Sequence, residues 1–566
     1  MACALQNKPL NDGQTPERRQ SELAHSSLLF AAIFVIIFLL HLPLLQLPYF
    51  WDEAGYYVPA ARDILLTGSL IPHSTVSNAH PPLVMAWIAL WWKVAGYAPL
   101  VTRSAMLLLA AFALMGVFRL AEVLTDKKVA IASTLCTAVY PVFFAQSSLA
   151  QVDLAAAGLI FWGLAAYLQR RTAASIFWFA LAGLSKETAI LAPAALAGWE
   201  VAGLLARQSS LRKLWRDGEP GLGSLRHVAL LSISVLPLAL WYGYHYSQTG
   251  YVFGNPEFFR YNVAETLEFR RFFLALILRI WQVVGYLHLW IVTLAALLAM
   301  WVLPRRQRDS GFEHERIGLP DQMILYSVIS TYVIAMALIG GAVLARYMLP
   351  AVPLVIIVSI STLRCRVRPW RAIVFLVALG FVAAWFWNPP YGFSPEDNLA
   401  YRDYVILHEN GERFLEARYP MARVLTAWPA SDEISRPWLG YITRPMSVVR
   451  IENFSLDQML QAADLRTNYD VALVFSTKYE PGSRLWDRFQ RFTELRTRWK
   501  TRFFGFHRDV PPAAAARILG GRVVFSEQRQ GLWIAVIEIE RVEEAHEPTS
   551  HLPIAAAEVN GRREEN

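Results

Sequence analysis

Asp52 and Glu53 are adjacent carboxylates within Tyr49-Phe50-Trp51-Asp52-Glu53-Ala54-Gly55-Tyr56-Tyr57, directly after an apolar run over 28–47. Trp and Tyr gather at membrane–water interfaces, where an apolar ring and a polar tip are both satisfied. The pair is therefore expected at a membrane surface, opening a helix-like segment over 54–67. A helix N-terminus favours an ionised carboxylate through its free N–H groups and dipole. An ionised carboxylate in that place suits a base acting on a lipid-borne substrate. A helix cap with no chemistry accounts for the same residues equally well.

Four more positions combine with this pair. They are His80 in His80-Pro81-Pro82-Leu83, Asp153, the pair Lys186-Glu187, and Arg346. All are expected at helix ends on one side of the membrane. Acids and bases together suit a reaction that deprotonates one group and stabilises a leaving anion. Each also has an ordinary structural reading. Asp153 can cap a helix, Lys186-Glu187 can be a snorkelling pair, His80 can be a turn residue, and Arg346 can anchor a helix to headgroups. Glu53 is read as orienting its neighbour or the backbone. The cysteines Cys3, Cys136 and Cys365 form no evident disulfide or zinc pattern. With no clear D-x-D either, neither a metal nor another cofactor is expected.

The elements that position these groups are apolar helices. The 566 residues are 55% hydrophobic and only 17% charged, and the mean hydropathy is +0.32. Runs of about 20 apolar residues, each enough to span a bilayer, recur along the chain. About eleven spanning helices are expected, over 28–47, 104–121, 129–145, 154–168, 174–184, 188–205, 228–246, 283–303, 322–343, 348–363 and 372–387. The segment 84–94 is expected to lie in the interface. The net charge of +8 does not indicate nucleic-acid binding, because the excess falls in short loops between apolar runs. That bias puts residues 1–27 and the basic loops in the cytoplasm. The sequence thus divides into a cytoplasmic segment 1–27, a transmembrane catalytic domain 28–388, an extracytoplasmic α/β domain 389–542 and a disordered tail 543–566. Within the α/β domain, strands are expected over 422–427, 447–451, 470–476, 522–526 and 532–538, with helices over 456–463 and 511–519. The loop 247–268, rich in Gly, Asn-Pro and aromatics, is expected to be a lid.

The Asp52-Glu53 pair, His80-Pro81-Pro82-Leu83, Gln151-Val152-Asp153, Gly183-Leu184-Ser185-Lys186-Glu187 and Arg346-Tyr347-Met348-Leu349-Pro350 resemble, in order and spacing, the GT-C glycosyltransferases. The nearest branches are the protein O-mannosyltransferases and the bacterial lipid A aminoarabinose transferases. The resemblance covers about 1–390. It implies a multi-pass inner-membrane enzyme that moves a sugar, with inversion, from a polyprenyl-phosphate donor to a lipid, glycan or protein acceptor on the extracytoplasmic face. Asp52 would be the general base, Glu53 and Asp153 further acidic catalytic residues, and His80, Lys186 and Arg346 the contacts to the lipid phosphate. Some lipid A transferases carry Lys where this chain has His80, and His is only partly charged at neutral pH. The rival readings are a transporter or flippase of lipid-linked sugars and a non-enzymatic envelope assembly protein. Internal repeats and polar breaks at the midplane would mark the transporter, and the sequence displays neither.

Overall fold

A computed structural model describes residues 16–206, 224–256, 266, 268–307, 311–312, 317–339, 341–479 and 490–540. The basic residues of 207–223, part of the expected lid (257–265 and 267) and the expected tail lie outside the described residues, as do residues 1–15.

Every segment expected to span is helical over most of its length. By length and composition, however, only five described helical segments can each cross a membrane: Ala24–Leu44, Pro99–Leu124, Glu187–Ala206, Phe269–Ala299 and Leu319–Leu338. A sixth arises if the bent pair Leu225–Ile233 and Leu236–Thr249 is one span. The expected eleven are therefore not reproduced, although the protein is a multi-pass membrane protein. Breaks account for part of the difference. The run expected over 129–145 divides into Lys127–Val139 and Pro141–Gln146. Tyr140 is extended between them because a residue preceding proline is driven out of the α region. Asp153–Leu168, Thr172–Ser185 and Trp370–Phe386 are apolar but shorter than a spanning helix.

The stretch before 283, outside the expected eighth span, is instead its first half. Phe269–Val284 continues into Leu289–Ala299 across a break at Tyr286–His288. Two of its arginines, Arg271 and Arg279, are buried, whereas Arg270 is exposed. Arg279 donates to the backbone oxygens of Met336 and Leu344 at 3.1 and 2.7 Å and to Gln282 at 2.9 Å. It thereby satisfies one carbonyl left over in the last turn of the helix Leu319–Leu338 and one in the segment beyond it. Such breaks were not evident in the sequence. Here the freed groups bond to protein: the Leu287 N–H to the Tyr391 hydroxyl and His288 Nδ1 to the Gly380 carbonyl.

Small residues let the helices that carry the site pack closely. A Cβ on Gly158 would lie 2.6 Å from that of Ala113, so Asp153–Leu168 and Pro99–Leu124 meet nearly backbone to backbone.

Two short strands, β1 (Arg306–Gln307) and β2 (Gly311–Phe312), form an antiparallel pair. The C-terminal part holds the expected five strands: β3 (Arg423–Ala427), β4 (Ser447–Ile451), β5 (Val471–Phe475), β6 (Gly521–Arg529) and β7 (Leu532–Ile539). Their order is β4-β3-β5-β7-β6. The β3 strand runs parallel to β4 and β5, and β7 runs antiparallel to β5 and β6. Central β5 is a continuous apolar run, buried along its length, as a strand covered on both faces must be. The helix Ala400–Arg418 lies on β6 and β7, with Phe414 stacked on Phe525 at 5.0 Å between ring centroids and Asn410 donating to Glu527 at 2.9 Å.

Candidate active site

Asp52 was expected at a helix start, and it is there, but it makes no capping bond. A π-helical turn, Glu53–Tyr57, leads into Val58–Thr67. Turns of this kind often mark functional sites. Trp51 just before it has φ 45°, a left-handed conformation uncommon outside glycine. Gly55 within the turn is required by packing, because a Cβ there would come within 2.7 Å of the Trp428 ring. Trp428 also meets Trp51 edge to face at 5.0 Å, so the C-terminal part braces the acidic turn.

The Asp52 carboxylate accepts from Arg346 Nη2. The Arg346 guanidinium is the hub of the site. It also donates to Glu396, lies 3.4 Å from Asp153 through Nε, and donates to Gln151 Oε1 at 2.6 Å. Lys186 Nζ pairs with Asp153 and sits 4.0 Å from the centre of the Tyr347 ring. Asp153 opens the helix Asp153–Leu168 without capping it, and its carboxylate is taken up by the two cations. Three carboxylates thus face two cations. Burial opposes the Arg346 charge, but Glu396, Asp52 and Asp153 outweigh it and hold the guanidinium more firmly protonated than usual. Burial pushes Glu396 above the usual carboxylate range despite Arg346. Asp52 alone among the three carboxylates reaches open space, with its side chain 31% exposed against 3% for Asp153 and Glu396.

Glu53 faces the other way. Its side chain is fully buried and paired with Arg103, which donates to Oε2 at 2.9 Å through Nη2 and to Oε1 through Nη1. The backbone N–H groups of Phe50 and Ala150 also donate to it. Arg103 completes the knot by donating to the carbonyls of Pro48 and Ser148 at 3.0 and 2.9 Å. The carboxylate is thus spent on tying the acidic turn to the helix Pro99–Leu124 and to the turn before Asp153.

His80 lies 3.1 Å from Glu187, next to Lys186 in the chain, and its ring meets Tyr56 and Tyr57 at 5.5 and 5.7 Å. Asp52, Asp153, Lys186 and Arg346 therefore form one cluster. His80 flanks it through Glu187, and Glu53 stands behind. Glu396, Gln151 and Arg103 were missed as members of the site. The sequence offered no signal for Glu396, which follows the last apolar run and was assigned to the C-terminal domain. Its turn Pro395–Asp397 reaches back, and Gln151 bonds both its carboxylate (3.1 Å) and Arg346. Gln151 falls within one of the family-like motifs, but nothing there marked its side chain. Beside Glu396, burial and then the Glu396 charge push Asp397 up to about 8, and Tyr286 donates to it at 2.5 Å.

No curated protein matches the chain in sequence. Residues 79–241 match the family model described as dolichyl-phosphate-mannose-protein mannosyltransferase. Among solved structures, ArnT from Cupriavidus metallidurans bound to undecaprenyl phosphate aligns over 90% of this chain and 97% of its own, at 13% identity and a TM-score of 0.51. The archaeal oligosaccharyltransferase AglB from Archaeoglobus fulgidus, in complex with an inhibitory peptide and a dolichol-phosphate, aligns over 92% and 74%, at 12% identity and a TM-score of 0.44. The chain thus resembles the GT-C glycosyltransferases, sharing its fold with ArnT and matching the mannosyltransferase model over less than a third of its length.

Proposed function

We propose that this protein is an inverting glycosyltransferase that moves a sugar from a polyprenyl-phosphate carrier to an acceptor hydroxyl. The observation that carries the reading is the exposed Asp52, held by a guanidinium in an otherwise sealed acid–base cluster. A base must meet its substrate, and Asp52 is the carboxylate of the cluster that can. Asp52 takes the acceptor hydroxyl proton. The acceptor oxygen attacks the anomeric carbon from the face opposite the phosphate, the bond from that carbon to the phosphate oxygen breaks, and the lipid monophosphate leaves. Lys186, with His80 beside it, meets the phosphate charge. Arg346 has both Nη groups engaged, by Asp52, Glu396 and Gln151, so its first task is to aim Asp52, and it turns to the phosphate only as donor binding loosens those pairs. Asp153 holds Lys186 and Arg346 in place, and Glu53 positions the turn.

The donor class is supported by the mannosyltransferase model and by the undecaprenyl phosphate bound to ArnT. The reading places the active face outside the cytoplasm at a bacterial-type inner membrane, with the N-terminus inside. The test is mass spectrometry of lipid A, envelope glycans and envelope proteins from a deletion strain. One class should lose a sugar, restored by the wild-type gene but not by D52N. An unchanged envelope in the deletion strain would overturn the assignment.

A further inference from the structure

A second cluster of ionisable groups lies apart from the Asp52–Arg346 network, inside the C-terminal part. The helix Ala400–Arg418 carries His408 and Glu412 one turn apart on one face. The short helix Ala430–Glu433 brings Glu433 against them. His408 Nδ1 lies 2.6 Å from Glu433 Oε2 and 3.5 Å from Glu412 Oε1. One ligand atom from each residue fits within 4.8 Å of the others. The site is closed: His408 is 1% exposed, and Glu412 and Glu433 are fully buried.

The burial is poorly compensated. Both oxygens of Glu412 and Oε1 of Glu433 are buried without a hydrogen-bond partner. Aromatic rings surround the group, with Tyr404 stacked on His408 at 4.1 Å and Phe475 edge-on at 4.5 Å. Two carboxylates in such a place carry a large desolvation cost, and one imidazole cannot neutralise both. Something positive is missing from the set, either a proton shared by the carboxyls or a cation held by all three residues.

We propose that His408, Glu412 and Glu433 bind a divalent cation of the zinc class. Imidazole nitrogen and carboxylate oxygen both ligate such an ion, and three of them leave a fourth coordination position open. The ion ties the helix Ala400–Arg418 to the turn that follows β3. Its effect extends to the acidic turn through aromatic contacts. Tyr404, stacked on the His408 ligand, touches Phe50 and Trp51 at 5.2 and 5.7 Å. Tyr441, whose ring lies 6.5 Å from that of His408, donates to the Tyr49 carbonyl at 3.0 Å. The ion is a brace behind Tyr49–Trp51, and the three ligands are positioning residues.

The full-length protein in detergent, purified without metal-chelate resin, should carry about one zinc per chain through gel filtration, measured by elemental mass spectrometry. After stripping with a strong chelator, its Tm should fall by several degrees and recover on addition of zinc chloride. E412Q and E433Q should lose the bound zinc and the zinc-dependent part of the Tm, whatever their activity. E412Q also separates the two explanations, because Gln stands in for a protonated Glu. If a shared proton fills the site, E412Q keeps or raises the metal-free Tm, and the wild type neither holds zinc nor responds to it. Either that result, or equal zinc uptake by wild type and E412Q, overturns the proposal. Should E412Q fail to accumulate, the zinc content and the strip-and-restore cycle of the wild type decide alone.

Discussion

Asp52 and Arg346 are partners with different expected failures. Asp52→Asn keeps the shape and removes the proposed base. Arg346 retains Glu396, Asp153 and Gln151, and no capping bond is lost, so the fold should survive. General-base catalysis supplies about 10²- to 10⁴-fold, equivalent to about 3–5 kcal/mol of barrier. The loss should fall on kcat, with donor affinity and Tm near the wild type. Near-normal turnover in D52N would move the base elsewhere. Arg346→Ala should do worse, because it strands three carboxylates with Lys186 as their remaining cation in the cluster. Removing one partner of a buried pair costs about 3–5 kcal/mol, so R346A should lower both the Tm and the membrane level. Lys cannot replace the fork that reaches several carboxylates at once, so R346K should restore stability in part and activity little. An R346A protein with wild-type Tm would show that the hub is not structural.

At the scale of elements, two short turns carry the remaining tests. The acidic turn is anchored by Glu53, so Glu53→Gln should act on stability. It leaves Arg103 buried with a neutral partner, and a loss of about 3–5 kcal/mol should appear in thermal unfolding of purified protein. An E53Q protein as stable as wild type but inactive would return Glu53 to a chemical role. The turn Pro395–Asp397 makes stability pH-dependent through Asp397. An unfolded Asp titrates near pH 4, whereas burial and the Glu396 charge put the folded group at about 8. A raised carboxyl stabilises the fold fully below the unfolded value and loses that contribution as pH rises to the folded one. Wild-type Tm should therefore drop between pH 6 and pH 8.5, and Asp397→Asn, neutral throughout, should show a smaller drop. Equal pH dependence in both proteins would remove Asp397 as the cause.

For the whole molecule, the test concerns sides. The reading that puts the sheet β4-β3-β5-β7-β6 outside rests on Lys/Arg bias between loops, and several of those basic residues fall in 207–223, outside the described residues. A phosphatase fused after Asn388 should be active and a fluorescent protein fused there dark. The reverse pattern would invert the assignment of the active face. The Trp428 ring packed over Gly55 gives the C-terminal part a stake in the acidic turn whichever side is found.

The sequence by itself determined the membrane class, the identity of most helices and strands, and the residues worth testing. Those properties reside in local composition and period: apolar runs, β-branched clusters, and charges at their ends. Val471–Phe475 was legible as a strand for that reason, and Leu456–Ala463 as a helix. Tertiary structure alone decided which charges meet. Asp52 and Glu53 are neighbours in the chain, yet one faces open space on Arg346 and the other is sealed against Arg103. Nothing local distinguishes them, because the partners lie 294 and 50 residues away. Glu396 could not be read as part of the cluster for the same reason. The burial of Arg279 was not legible either, because the carbonyls that receive its guanidinium lie 57 and 65 residues away in sequence. Pairing between distant charges is fixed by packing geometry, and that geometry exists only once the chain has folded.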